Sequence, residues 1–141
     1  MNKKLRAGKS SELAVASQLI REGLDVYVPC VDDHSIDLVI RAEIGGSVRY
    51  YDVQVKSVAG YNRIIGVSDV SAMSDARLLI IHYRHKDKAD EYFYLTHVQV
   101  EQQHIKGSDW GDLVFNKDDR QGRYVSQNLK DLAEKIMAGE M

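Results

Sequence analysis

The segment IDLVIRAEIGGSVRYYDVQVKS, residues 36–57, decides how this chain folds. Two runs rich in β-branched and aromatic residues flank Gly45 and Gly46, the composition of a hairpin with a two-residue turn. With those glycines as the turn, Ile44 faces Ser47 and, counting outward, Asp37 lies across from Gln54. Opposed residues share a face of the sheet, and Lys56 joins that face by alternation. The hairpin therefore gathers Asp37, Gln54 and Lys56. Its second strand alternates Tyr50, Asp52, Gln54 and Lys56 with Tyr51, Val53 and Val55. The polar side is either a solvated outer face or one wall of a site.

Upstream, KSSELAVASQLIREG (residues 9–23) has helical periodicity. Leu13, Ala16, Leu19 and Ile20 form the apolar stripe, Ser10 or Ser11 is the expected cap, and Gly23 the stop. Glu12 precedes Ala16, Leu19 and Ile20 by four, seven and eight residues, which places it at one end of that stripe. An unpaired buried carboxylate costs on the order of several kcal/mol, and a bound cation would remove the penalty. The plainer alternative puts Glu12 in the first helical turn, partly wet and favoured by the helix dipole. Asp37 and Lys56 have plain alternatives too, as a loop-ending aspartate and a solvated edge lysine.

Between these parts, LDVYV (residues 24–28) is a short β run ended by Pro29. Downstream, NRIIGVS reads as a further strand and SDVSAMSDA as a short helix or turn-rich crossing. RLLIIHY is apolar enough for a central strand buried on both faces. EYFYLT is another strand and HVQVEQQH a short helix, whereas residues 105–124 give only a turn-rich pattern around Trp110. SQNLKDLAEKIMAG closes the chain as a helix with Leu129, Leu132, Ala133 and Ile136 on one stripe. The order α-β-β-β-(β/α)-β-β-α indicates a mixed α/β (α+β) domain spanning residues 1–141.

Bulk properties agree. A hydrophobic fraction of 44% and a charged fraction of 28% suit a globular chain with a real core. No apolar run approaches the roughly 18 residues of a membrane span, so no membrane partner is expected. Cys30 is the only cysteine, which excludes an intramolecular disulfide and a thiolate metal cage and suits a reducing cytoplasm. The net charge of −2 does not advertise a nucleic-acid binder, yet Lys3, Lys4, Arg6 and Lys9 form a basic arm with no acid among residues 1–11. His82, His85, His97 and His104 lack metal-ligand spacing and read as structural or surface residues. Tyr50, Tyr51 and Tyr61 read as packing or as base-stacking platforms.

In order and spacing, Gly8, Ser11-Glu12, Leu19, Gly23, Val26, Pro29, Ile36-Asp37 and Val53-Gln54-Val55-Lys56-Ser57 resemble the PD-(D/E)XK nuclease superfamily. The likeness is to small archaeal-type Holliday-junction resolvases and related bacterial endonuclease-like domains, and it covers residues 8–58. It implies a restriction-endonuclease-like core, a mixed β-sheet flanked by helices. It implies a metal-dependent endonuclease hydrolysing phosphodiester bonds, in DNA rather than RNA, working as a homodimer. By the same resemblance Asp37 is the main ligand of Mg²⁺ or Mn²⁺, Glu12 completes the shell, and the Val55 carbonyl and Gln54 add oxygens. Lys56 is the lysine that assists attack on the phosphate. Ser35 and Ser57 are implied to touch phosphate, the basic arm is by its charge the candidate for sequence-independent phosphate contacts, and Asp32, Asp33 and His34 are a loop cluster that either joins the site or forms a solvated turn.

Two positions depart from the family pattern. Ile36 replaces the usual proline, which only shapes the strand entry. Gln54 replaces an acid; an amide oxygen can ligate Mg²⁺ but brings no charge and cannot act as a base, which favours one metal over two. The alternative to an enzyme is a decayed nuclease fold that binds nucleic acid or a protein partner. A domain without nuclease history would scatter Glu12, Asp37, Gln54 and Lys56 over different faces.

Overall fold

The computed structural model describes residues 1–30, 35–59, 64–67, 76–105 and 111–141. The hairpin is built as its glycines dictate. Gly45 and Gly46 have φ of 56° and 82°, the left-handed pair of a two-residue turn whose twist matches the strands. Strand β2 (Leu38–Ile44) pairs with β3 (Ser47–Ala59) from Ile44↔Ser47 to Leu38↔Val53. There the counted register ends. The Asp37 N–H donates to the Val53 carbonyl at 2.8 Å, so Leu38 and Asp37 both oppose Val53, as in a β-bulge. Asp37 is thus displaced by one residue from the expected place across from Gln54.

Helix α1 runs over Lys3–Arg21, well before the expected start. Asn2, not Ser10 or Ser11, is the cap, accepting the Leu5 N–H at 2.9 Å. Gly23, with φ of 93°, ends the helix as read. The early start moves Glu12 deep into the helix and removes the first-turn, dipole reading. The buried line is Ser11, Val15, Ala16 and Leu19, a row at helical i, i+4, i+8 spacing lying over the sheet. Leu13 and Ile20, expected inside, are each 56% exposed.

The other elements are β1 (Asp25–Tyr27), β4 (Ile64–Val67), β5 (Arg77–Arg84) and β6 (Glu91–Thr96), followed by α2 (His97–Gln103), β7 (His104–Ile105), β8 (Gly111–Val114) and α3 (Leu129–Met137). The main sheet has the order β1-β2-β3-β5-β6 and is antiparallel except for the central β3/β5 pair. Parallel neighbours need a crossover, and the chain between them supplies β4. Strand β5 is buried from Arg77 to Tyr83, as its apolar run requires.

Each face of the sheet has its own core. On one, Val15 and Leu19 of α1 and Leu132 and Ile136 of α3 cover Leu38, Ile40, Val53 and Ile80. On the other, Leu79, Ile81, Tyr83 and Phe93 pack with Ile65, Val67, Val100, Leu113 and Phe115. The last group comes from α2, the segment after β8, and a small second sheet of order β4-β8-β7. That sheet, together with a π-helical turn at Asp119–Arg123, fills the region that read only as turn-rich. Its β4 is the strand read from NRIIGVS, whereas β7 and β8, of 2 and 4 residues, are too short for their periodicity to show in sequence. No described helix is long and apolar enough to cross a membrane.

Candidate active site

The site grows from the bulge. Strand β3 pairs with β2 only as far as Val53, while its pairing with β5 runs over Asp52–Ala59. Beyond Val53 the β2-side edge of β3 has no partner strand among the described residues. The Val55 N–H on that edge donates instead to Asp37 Oδ2 at 2.7 Å. In a strand the N–H and C=O of one residue face the same edge, so the Val55 carbonyl opens on the same side.

A cleft of about 240 Å³ lies along this edge. Glu12 and Ser11 enter it from α1, Asp37 from the bulge, and Gln54, Val55, Lys56 and Ser57 from β3. All four residues singled out by the sequence meet here, so the scattered arrangement of an unrelated domain is not what the chain adopts. Ser35 also lines the cleft and holds a φ of 61°. That left-handed conformation costs a non-glycine residue roughly 1–2 kcal/mol. Backbone strain of this kind gathers at functional sites.

The alternating face of β3 changes character along its length. Val48 and Tyr50 are 41% and 57% exposed, Gln54 is 2% exposed, and Val58 joins the second core. Gln54 stands beside Leu79 of β5, a member of the second core. Among the described residues its Oε1 is buried with no hydrogen-bond partner, and so is Ser57 Oγ. An unmet buried acceptor costs about 1–3 kcal/mol. Gln54 lines the cleft as a residue, and a buried amide oxygen without a partner is a group that a cation can satisfy.

Glu12 is not alone. Lys9 Nζ lies 2.7 Å from its Oε2, with side chains 56% and 20% exposed. A pair this wet contributes about 0–1 kcal/mol, too little to hold Glu12 against a competing cation. Lys9 therefore belongs to the site's edge as a counter-charge, while Lys3, Lys4 and Arg6 remain exposed on the first turns of α1. A second, smaller pocket of about 130 Å³ shares Glu12 and Asp37 and is walled by Val28, Pro29 and Cys30.

The donor set fits a hard divalent cation. Two carboxylates, one amide oxygen and one backbone carbonyl are all oxygens, the ligands of Mg²⁺ and Mn²⁺. Among the described residues no three His, Cys, Asp or Glu side chains gather as a metal cage, and the cleft brings two carboxylates, Glu12 and Asp37. The set suits one ion, held more weakly than by three carboxylates.

Several other residues have definite places. Tyr51 is a core residue, 4% exposed, whose hydroxyl donates to the Met141 carbonyl at 2.9 Å, so it offers no platform for bases; Tyr50 is 57% exposed. Asp32, Asp33, His34 and Tyr61 lie outside the described residues. His82, set aside on spacing, is buried and bonded to Ser11 of the cleft at 2.8 Å. Its one sequence signal is a histidine inside the apolar run RLLIIHY, which says that a partner exists but not which.

Among solved structures, the chain is similar to Hjc, a Holliday junction resolvase from the archaeal hyperthermophile Archaeoglobus fulgidus. The match has a TM-score of 0.56 at 12% identity, over 90% of this chain and 95% of that one. It is similar also to the bacterial homing endonuclease I-Ssp6803I, with a TM-score of 0.59 at 16% identity over 98% and 95% of the two chains. No protein-family model matches the chain, and no curated protein does. At such identities the likeness is one of fold. The five-stranded mixed sheet with flanking helices is restriction-endonuclease-like, the architecture the helix–strand–hairpin pattern resembles.

Proposed function

We propose that this chain, acting as one domain, is a divalent-cation-dependent endonuclease that hydrolyses phosphodiester bonds in DNA. The observation that carries the reading is the cleft. Glu12, Asp37, Gln54 and Lys56 share it, and the buried Gln54 amide oxygen has no hydrogen-bond partner among the described residues. The fold shared with a Holliday junction resolvase and a homing endonuclease supports it.

Glu12, Asp37, Gln54 and the Val55 carbonyl would hold Mg²⁺ or Mn²⁺. When bound, the cation supplies positive charge and Lewis acidity beside the scissile phosphate. Asp37 and Glu12 bring the negative charge that recruits it. The Lys56 ammonium orients the attacking water and offsets charge developing on the phosphoryl oxygens. The water oxygen forms the new P–O bond as one ester P–O bond breaks, and the departing oxygen takes up a proton. The exposed Lys3, Lys4 and Arg6 hold flanking phosphates. A homodimer would present two such clefts, one for each strand of a duplex or junction, and the lone Cys30 suits work in a reducing cytoplasm.

A second reading rests on Gln54, the amide where a third carboxylate would stand: a nuclease fold that binds nucleic acid without cutting it. One experiment separates the two. Supercoiled, branched and single-stranded DNA are incubated with Mg²⁺ or Mn²⁺ and with wild type, Asp37→Ala or Lys56→Ala. Cation-dependent cutting that both variants lose supports the enzyme. Salt-sensitive binding with no cutting under any condition selects the second reading.

A further inference from the structure

Ser11 and His82 are polar residues buried within the apolar packing, 1% and 4% exposed. Ser11 Oγ lies 2.8 Å from His82 Nδ1, and His82 Nε2 lies 2.8 Å from Asp90 Oδ2. The other Asp90 oxygen accepts the His85 N–H at 3.0 Å, so the turn between β5 and β6 is tied to the same chain. The imidazole also stacks on Tyr92, its cross-strand partner, with centroids 4.6 Å apart and planes 8° from parallel. Two hydrogen bonds and a stack leave this ring one orientation.

The protons can be placed. Burial pushes the Asp90 carboxyl up, but bonds from His82 and the His85 N–H outweigh it and hold the group below its ordinary value. Asp90 is therefore a carboxylate at neutral pH and can only accept. Nε2 of His82 therefore donates to Asp90, and Nδ1 shares the second hydrogen bond with the Ser11 hydroxyl.

A serine, histidine and aspartate in series suggest a nucleophilic triad. The helix argues otherwise: Ser11 lies on the buried side of α1, 1% exposed, with its hydroxyl bonded to His82 beneath the helix. What the series does reach is Glu12, the next residue. No residue of α1 before Ser11 is buried, so Ser11 is the first fixed point of the helix. The apolar anchors, Val15, Ala16 and Leu19, all come after it. Without a hold at Ser11, the turn bearing Glu12 would be the last before a fraying end.

We infer that the Ser11–His82–Asp90 series is a positioning device that fixes the Glu12 turn of α1 over the cleft, with His82 as the positioning residue. Its consequence for cation affinity rests on the metal-site reading above; its consequence for the helix does not.

The test uses the full chain and two variants. His82→Phe keeps the stack on Tyr92 and removes both hydrogen bonds; Ser11→Ala removes the hydroxyl alone. Ile136→Val, which thins the α1/α3 core away from the series, is the control. Amide hydrogen exchange over residues 7–12 is expected to rise about tenfold or more in both variants, with Val15–Leu19 unchanged. Mn²⁺ affinity measured by calorimetry is expected to fall about tenfold, the usual effect of removing a group that orients a ligand. The control should lower Tm with neither effect. Exchange that stays unchanged in both variants, or rises evenly along α1 as in the control, overturns the inference. Should His82→Phe fail to fold, Ser11→Ala decides. A wild type that binds no Mn²⁺ refutes the metal site, and the exchange pattern then judges the positioning device by itself.

Discussion

Gln54 is the residue on which stability and function pull apart. It is 2% exposed with an amide oxygen that has no partner among the described residues, so for folding alone an apolar side chain would serve as well. Gln54→Leu is therefore expected to leave the free energy of urea unfolding unchanged or raise it by about 1–3 kcal/mol, while Mn²⁺ affinity drops. Gln54→Glu should do the reverse: it tightens Mn²⁺ by restoring the missing charge, and it destabilises the metal-free protein because a carboxylate is buried beside Leu79. A Gln54→Leu protein that is less stable than wild type would show that the amide has a structural partner. The company of Gln54 with Asp37 and Lys56 was legible in sequence, because a glycine turn and a two-residue period suffice to place them. Its burial was not, since its neighbour Leu79 of β5 belongs to a core assembled from segments far along the chain.

At the scale of elements, the β2–β3 hairpin sets the cleft and its turn can be tested separately. A Cβ added at Gly45 or Gly46 would meet nothing within 4 Å, so only the positive φ of 56° and 82° opposes substitution. Gly46→Ala is expected to cost about 1–2 kcal/mol in thermal unfolding and to leave Mn²⁺ affinity intact. Loss of affinity out of proportion to stability would mean that the register, and with it the bulge at Asp37, had slipped. The hairpin could be read because its determinants are adjacent in sequence. Helix α1 was harder: Gly8 and the run of lysines disguise a helix that Asn2 caps, and the buried line passes through Ser11 instead of Leu13. Burying a serine makes sense only with His82, which is 71 residues away, and no local pattern reveals that.

Across the whole molecule, the two faces of one sheet do different work. One packs α1 and α3; the other carries the second sheet and includes Leu79, the β5 neighbour of Gln54. Buried phenols hold both sides. Burial pushes Tyr83 up to about 12 despite Arg120 beside it, and burial with the Asp131 hydrogen bond pushes Tyr94 up to about 12. The ordinary value is 10.0, so the folded state keeps both protons longer than the unfolded chain does. Their contribution to stability is whole below pH 10 and is lost as pH rises to about 12, on the order of 3 kcal/mol for each. Alkaline unfolding followed with tyrosinate absorbance should show the steepest loss in that window, less steep in Tyr94→Phe. The basic arm belongs to this scale as well. Replacing Lys3, Lys4 and Arg6 with alanine should weaken DNA binding alike for all sequences and flatten the salt dependence by about one unit of log–log slope per residue.

The most direct measurement of the account is anomalous diffraction from crystals of the full chain grown with Mn²⁺. It should show one peak in the cleft, within coordination distance of Asp37, the Gln54 amide oxygen and the Val55 carbonyl, and no peak in Asp37→Ala. Crystals saturated with Mn²⁺ that leave this cleft without a peak, or place the ion elsewhere, would contradict the claim that these residues form a metal-dependent phosphodiesterase site.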